Sequence, residues 1–373
     1  MIYQLFFHGP SFQVLENLNE IKGNIISTNV KIPNLPLFKD EELKTILIPR
    51  AIEAALQTAG LYDMFINNVV SLPSKIKNLE VYKETEAVFA EAEFLKIEER
   101  HSYFNVKIYD AEGEVIMVLE QLGMIHTSMP INLDEKGKKL FQMIKGYHEI
   151  RTKVDDEKVA VLPIHKVVEE YRKNKQELEN KLVAYEKTRF TKISNEKRKM
   201  EYLAGVILAK ELFSKYENIT DFRSIEIKKK IKGQPYFFNR QIKEETDWYV
   251  SISHSNDFAV VSIEKQPVGI DIEKVEERSK SFYGEVFSDY ELSKIADDHS
   301  LGTKYWTAKE SLTKALGEGL HIKLKEIEFR YNDGKFDLKK YPSSLKQDQL
   351  HTSIETIEAA GYVVSKCVIK QYG

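Results

Sequence analysis

In the run Val268-Gly269-Ile270-Asp271-Ile272-Glu273, two carboxylates stand at i and i+2 within an otherwise apolar stretch. On a strand that spacing projects both from the same face. Like charges held together repel, so a strand that keeps them near a core offers them to a cation. An all-oxygen pair favours a hard ion such as Mg²⁺, whose shell is completed by water and phosphate. A strand end reaching water, with both groups hydrated, is the plainer alternative. Farther on, Trp306-Thr307-Ala308-Lys309-Glu310-Ser311-Leu312-Thr313-Lys314-Ala315-Leu316-Gly317 sets Glu310 and Lys314 four apart, one turn along a helix face. Read alone, they form a surface ion pair worth a few tenths of a kcal/mol. Val250-Ser251-Ile252-Ser253-His254-Ser255 alternates as a strand does and ends in a polar cluster, in which a lone His254 reads as a hydrogen-bonded structural residue.

The elements that would position these groups are legible in outline, and their mixture is an α+β pattern. Pro49 to Gly60 puts Ile52, Ala55, Leu56 and Ala59 on one helical stripe, which predicts a buried helix. Ala87–Ile97, Tyr103–Tyr109 and Val115–Leu119 alternate as strands, the last two joined by an Asp110–Glu114 hairpin turn, so one helix against an antiparallel sheet is expected. Residues 129–156 are polar and lysine-rich and read as a connector with a short helix. A second unit opens with the apolar run Val159–Ile164. It continues through a charged helix over Val167–Leu182 and an amphipathic one over Glu196–Tyr216, capped by Ser194 or Asn195, with Met200, Leu203, Ala204, Ile207, Leu208 and Leu212 facing inward. Strands over Trp248–Ser253, Ala259–Glu264 and Val268–Ile272 precede helices over Tyr290–Asp297 and Trp306–Leu316. No internal repeat is visible along the chain.

The chain has 373 residues, which predicts two or three domains. With 42% hydrophobic and 30% charged residues and few glycines and prolines, a disordered or fibrous chain is excluded. Lys plus Arg number 55 against 58 Asp plus Glu, so no overall charge recommends nucleic acid as a partner. The single cysteine, Cys367, rules out an internal disulfide and a cysteine metal cluster and fits a reducing compartment, with the cytoplasm as the default. No apolar run approaches the length of a membrane span. Met1 to Pro10 carries neither a basic leader nor a sustained apolar stretch, so folded sequence is expected from the first residues.

Taken in order, the polar segments resemble the Sfp-type 4′-phosphopantetheinyl transferases. That signature is a Gly-Ile-Asp-x-Glu strand and, after an interval, Trp-x-x-Lys-Glu-x-x-x-Lys on a helix. Here Glu273 and Trp306 are 33 positions apart. Upstream, Ser194-Asn195-Glu196-Lys197-Arg198 resembles the family's basic entry segment, Gly233-Gln234-Pro235-Tyr236 its Gly-Lys-Pro turn, and Ile252-Ser253-His254-Ser255 its Ser-His-Ser strand. Gln234 departs from the usual lysine, with Lys232 close by, and Val206 stands where some members carry arginine. The resemblance covers about residues 157–373. It implies two similar halves packed as a pseudo-dimer with coenzyme A between them. It also implies transfer of the phosphopantetheine arm to a serine of an acyl or peptidyl carrier protein, releasing 3′,5′-ADP. Asp271 and Glu273 would hold Mg²⁺, with Glu310 as third ligand, general base or both, and Lys314 would offset phosphate charge. Lys309, Ser253 and His254 would contact phosphates of coenzyme A, and Lys197 and Arg198 its 3′-phosphate end.

Residues 1–128 carry a second resemblance. Phe7-His8-Gly9-Pro10-Ser11-Phe12-Gln13-Val14-Leu15, Ile48–Gln57 and Leu72-Pro73-Ser74 look like the second half of a polyketide synthase dehydratase, a double hotdog in which a curved sheet wraps a long helix. Glu53 occupies the place of the catalytic acid, whereas the histidine base belongs to a first half that is absent here. The unit is therefore expected to be incomplete and to act as scaffold or docking module. A dehydratase-like unit followed by a transferase resembles the end of some iterative polyketide synthases, and a polyketide synthase is the partner this order suggests. The rival reading is a docking hotdog joined to a non-catalytic coenzyme A binder; a second rival is a dehydratase completed by a partner that supplies the first hotdog.

Overall fold

Residues 3, 8–33, 47–131, 133, 135–318, 322–332, 334–341 and 351–370 are described by the computed structural model of the chain. Except for Tyr3, the expected folded start over residues 1–7 lies outside them. The chain divides into two units, Met1–His148 and Glu149–Gly373, the division falling within the lysine-rich stretch 129–156.

The first unit runs β1 (Leu15–Lys22), β2 (Ile25–Val30), α1 (Leu47–Tyr62), β3 (Ser71–Lys75), β4 (Asn78–Val81), β5 (Phe89–Glu98), β6 (His101–Tyr109) and β7 (Val115–His126). The strands pair antiparallel in the order β1-β2-β5-β6-β7-β3, with β4 also on β7. Asp110 closes the β6–β7 turn by accepting from the amides of Glu112 and Glu114 at 3.2 and 2.9 Å. The helix is buried as its pattern predicts, but on a rotated face. Ala51, Ala54, Ala55, Thr58 and Ala59 pack inward, while Ile52 and Leu56 are only half-buried. Small side chains let the helix lie close on the sheet, where Thr58 Oγ1 meets Thr28 Oγ1 of β2 at 2.8 Å. One long helix on an antiparallel sheet is the hotdog-like arrangement expected.

The division falls within α2 (Glu135–Val154), a 20-residue helix where a short one was expected. Its Lys, Glu and Met residues are good helix formers, so low hydrophobicity conceals its length.

The second unit continues β8 (Val159–Pro163), α3 (Ile164–Lys173), α4 (Lys175–Asn180), α5 (Ala184–Lys192), α6 (Glu196–Glu217), β9 (Ile225–Lys229), β10 (Pro235–Asn239), β11 (Glu244–Ser255) and β12 (Phe258–Glu264). Its second half is β13 (Val268–Lys274), α7 (Lys280–Val286), α8 (Asp289–Ile295), α9 (His299–Leu316), β14 (Glu328–Asn332), β15 (Lys335–Lys340), β16 (His351–Ala359) and β17 (Tyr362–Lys370). The helix expected over Val167–Leu182 is two helices broken at Asn174. α6 begins where expected, with Asn195 Oδ1 accepting from the Arg198 amide at 3.0 Å. It is not amphipathic, however: residues Leu203–Lys210 are all buried, because the helix crosses the sheet and is covered on its other sides.

The two halves share one topology. Each is a strand, a set of helices and a four-strand meander whose last strand returns to pair with the first, giving the orders β8-β12-β11-β10-β9 and β13-β17-β16-β15-β14. A buried ion pair recurs in each. Glu186 of α5 accepts from its helix-entry amide Val183 at 3.0 Å, from the β9 amide Ile227 at 2.8 Å and from Lys210 of α6 at 2.7 Å. Glu291 of α8 accepts from Ser288 at 2.8 Å, from the β14 amide Phe329 at 2.9 Å and from Lys309 of α9 at 2.6 Å. The internal repeat therefore exists, carried by topology and by one polar contact rather than by alignable sequence. Among the described residues no helix is long and apolar enough to cross a membrane.

Candidate active site

β13 and α9 lie so close that a Cβ on Gly269 would fall 1.8 Å from the Ser311 carbonyl oxygen and 2.6 Å from the Ala315 nitrogen. Only glycine permits this approach, which sets Asp271 and Glu273 beside Glu310 and Lys314. From the other half, β11 presents Ser251, Ser253 and Ser255 on one face at the two-residue strand period. Ser251 Oγ accepts from the Ile270 amide at 2.9 Å, Ser253 Oγ donates to Asp271 Oδ1 at 2.7 Å, and Ser255 Oγ donates to Glu273 Oε2 at 3.3 Å. These serines bind the halves together.

Lys314 Nζ donates to Asp271 Oδ1 at 2.7 Å, to Ser253 Oγ at 3.0 Å and to the Ile270 carbonyl at 3.1 Å. Glu273 is held by Trp306 Nε1 at 3.2 Å and by Arg278, which stands 3.2 Å from Oε2 and over the rings of Phe282 and Trp306. Burial and then the charge of Asp271 push the Glu273 carboxyl up. Burial, followed by Asp271, pushes Glu310 up to about 7, against the pull of Lys314. Three carboxylates thus crowd one place with too little positive charge to balance them. Asp271 Oδ2 is buried there with no hydrogen-bond partner. These oxygens suit a hard divalent ion in chemistry and charge. As the side chains stand, no three such ligands among the described residues enclose a metal position, and Lys314 supplies the cation on Asp271.

A cavity of about 570 Å³ opens beside this cluster, with Lys314 in its wall. The opposite face of β11 contributes Val250, Ile252 and His254, α6 contributes Arg198, Glu201 and Gly205, and Arg189, Lys229 and Lys232 add positive charge. His254 Nδ1 lies 3.6 Å from Glu201 Oε2. Gly205 allows α6 to meet β11, since a Cβ there would stand 2.8 Å from Ile252 Cγ2.

The structure brings Asp271, Glu273, Glu310 and Lys314 together and places His254 and Arg198 on the cavity wall. Three expectations are corrected. Lys309 is fully buried, its ammonium taken by Glu291 and by the carbonyls of Val286, Leu324 and Ile327 at 2.9, 2.9 and 2.7 Å, so it has no donor left for a phosphate. Ser253 faces β13 instead of the cavity, because strand alternation turns it away from its neighbour His254. Lys197 points into a separate groove beside α3, one helical position round from Arg198. Lys232 does line the cavity near Gln234, but its ammonium pairs with Glu318 at 2.5 Å. Arg189, Lys229, Glu201 and Arg278 escaped sequence reading. Each lies in a charged stretch that looks like solvated surface, and no local pattern separates them from neighbours that are.

Comparison with known proteins agrees with this picture. Residues 267–367 match the family model of the 4′-phosphopantetheinyl transferase superfamily, and 171–266 that of 4′-phosphopantetheinyl transferase, N-terminal. Residues 3–128 match a model described as polyketide synthase dehydratase N-terminal domain, where the sequence reading expected the second half of such an enzyme. The holo-[acyl-carrier-protein] synthase of Anoxybacillus flavithermus is 33% identical over 110 residues, 28% of this chain and 89% of that protein. The 4′-phosphopantetheinyl transferase gsp of Aneurinibacillus migulanus is 30% identical over 36% of this chain and 55% of its own length, and Sfp of Bacillus subtilis 29% over 44% and 72%. The chain thus spans little more than half of the gsp protein. The dehydratase domain of PpsC from Mycobacterium tuberculosis aligns with 32% of the chain and 46% of its own length at 20% identity and a TM-score of 0.27. With a carrier-protein synthase one-third identical across nearly its whole length, the chain belongs to the 4′-phosphopantetheinyl transferase superfamily.

Proposed function

We propose that the second unit transfers the 4′-phosphopantetheine arm of coenzyme A to a serine of an acyl or polyketide carrier protein in the cytoplasm, with Mg²⁺ held by Asp271, Glu273 and Glu310. The observation that carries this reading is the cluster of three carboxylates, with an unpartnered buried Asp271 oxygen, beside a cavity walled by cations. Arg189, Arg198, Lys229 and Lys232 suit the phosphates of coenzyme A, and the apolar wall at Val250 and Ile252 suits its uncharged parts. In the reaction the serine oxygen bonds to the pyrophosphate phosphorus that bears the pantetheine arm, the phosphorus–oxygen bond to the other phosphate breaks, and 3′,5′-ADP departs. Glu310 is assigned the serine proton, in keeping with its position one helical turn from Lys314 beside the carboxylates of β13. Lys314 would offset charge on the departing phosphate. Bound Mg²⁺ supplies further neutralisation of the pyrophosphate oxygens.

The test is mass spectrometry of carrier domains, polyketide synthase carriers included, after incubation with coenzyme A and Mg²⁺. The wild-type chain adds one phosphopantetheine; Asp271→Ala adds none while keeping its fold by circular dichroism. Modification that survives Asp271→Ala refutes the assignment.

A further inference from the structure

We infer that Arg278 is the resident counter-ion of Glu273, a positioning residue that holds this carboxylate until a divalent ion and the pyrophosphate of coenzyme A arrive together. The inference rests on the proposed transfer and adds to that site a coupling between its two ligands.

Glu273 is engaged at both oxygens. Oε1 accepts from Trp306 Nε1 at 3.2 Å, while Oε2 accepts from Ser255 Oγ at 3.3 Å and stands 3.2 Å from Arg278 Nη2. On Asp271 the corresponding cation is Lys314. Each carboxylate of β13 thus has a protein cation beside it, but the two cations are held differently. Lys314 spends its ammonium on three hydrogen bonds, to Asp271, Ser253 and the Ile270 carbonyl. Arg278 makes none to Glu273: Nε and Nη2, the two donors of one guanidinium edge, are buried without a hydrogen-bond partner.

Aromatic rings fix Arg278 instead. Its guanidinium carbon lies 5.1 Å from the centre of the Phe282 ring and 5.8 Å from that of Trp306, the two rings meet edge to face at 5.0 Å, and the side chain is 18% exposed. Arg278 therefore lends charge to Glu273 without the directional bond that would tie the carboxylate to it. A small divalent ion can take Oε2 while the guanidinium stays on its rings. That ion then shares a site largely shut off from water with Arg278 and Lys314, where like charges repel strongly. Negative charge has to come with it. The pyrophosphate brings that charge, and its oxygens match the free Nε–Nη2 edge of Arg278. By linkage the ion and coenzyme A each tighten the binding of the other, and removing the Arg278 charge lets the ion bind alone.

Mn²⁺ is titrated into the full chain, with and without coenzyme A and with no carrier protein present, and the free ion is read by electron paramagnetic resonance. Coenzyme A is expected to tighten Mn²⁺ binding to the wild type at least about tenfold. Arg278→Gln binds Mn²⁺ alone at least about fivefold more tightly than the wild type and gains correspondingly less from coenzyme A, whereas Arg278→Lys, which keeps the charge, keeps the wild-type pattern. Circular dichroism checks the fold of each variant, and Arg278→Met, which keeps the contact with the rings, replaces Arg278→Gln if that chain does not fold. An unchanged or weaker affinity for Mn²⁺ alone in the uncharged variant overturns the inference. So does an Arg278→Lys chain that behaves as the uncharged one, because packing on the rings then accounts for the effect. A wild-type chain that modifies a carrier protein yet binds Mn²⁺ equally with and without coenzyme A overturns this inference alone; one that neither modifies a carrier nor binds Mn²⁺ overturns the transferase reading with it.

Discussion

Glu310 sits between opposed influences. Loss of water and the carboxylates of Asp271 and Glu273 drive its proton on, while the Lys314 ammonium drives it off. In metal-free protein, ¹³C NMR of the glutamate carboxyls is expected to find Glu310 titrating at about 7. Lys314→Met moves it higher, since the variant loses the one cation that favours the charged form. A Glu310 that titrates in the ordinary glutamate range in that variant would rule out this arrangement. At this scale the sequence supplied the types of the four clustered residues but not which lysine of a pair was available. Lys309 and Lys314 both lie on α9 and both looked fit for phosphate. The turn of the helix sends one into the core against Glu291 and leaves the other at the cavity.

The recurring Glu–Lys pair explains where Lys309 went. In each half a short helix, the central helix and an edge strand meet at one buried carboxylate, which satisfies an entry amide, a strand amide and a lysine. Removing one partner leaves a charge buried without its counterpart, which costs roughly 3–5 kcal/mol. Lys210→Met and Lys309→Met are therefore expected to destabilise the protein by similar amounts in urea unfolding, and the double change Glu186→Leu with Lys210→Met to recover little of the loss, because the Val183 and Ile227 amides then lose their acceptor. A Lys309→Met chain of wild-type stability with a raised KM for coenzyme A would instead restore Lys309 to phosphate binding. Most strands and the start of α6 were legible because alternation and capping are local. The break at Asn174, the length of α2 and the burial of α6 on most sides were not, because each depends on what packs against the element.

For the whole molecule, several carboxyls are held above their ordinary values by burial, among them Asp63 in the first unit and Glu273 and Glu310 in the second. Their folded-state pKa exceeds the unfolded one, so the stability they lend is complete below the unfolded value and is lost as pH rises through the folded one, about 7 for Glu310. The thermal midpoint of the wild type should thus fall relative to that of Glu310→Gln between about pH 5 and about pH 7.5. Millimolar Mg²⁺ at the upper pH should restore it in the wild type and not in Asp271→Ala, since an ion that binds only the folded state stabilises it. A midpoint difference that stays flat with pH would contradict the burial of Glu310. By itself the sequence determined the mixed α+β class and the carboxylate and lysine spacing on β13 and α9, because periodicity and motif spacing act within a few residues. Only the tertiary structure decided the hidden repeat and the outward and inward fates of neighbouring lysines and serines. Those depend on contacts between residues distant in the chain, such as the approach of β13 to α9 at Gly269, and local pattern carries no record of them.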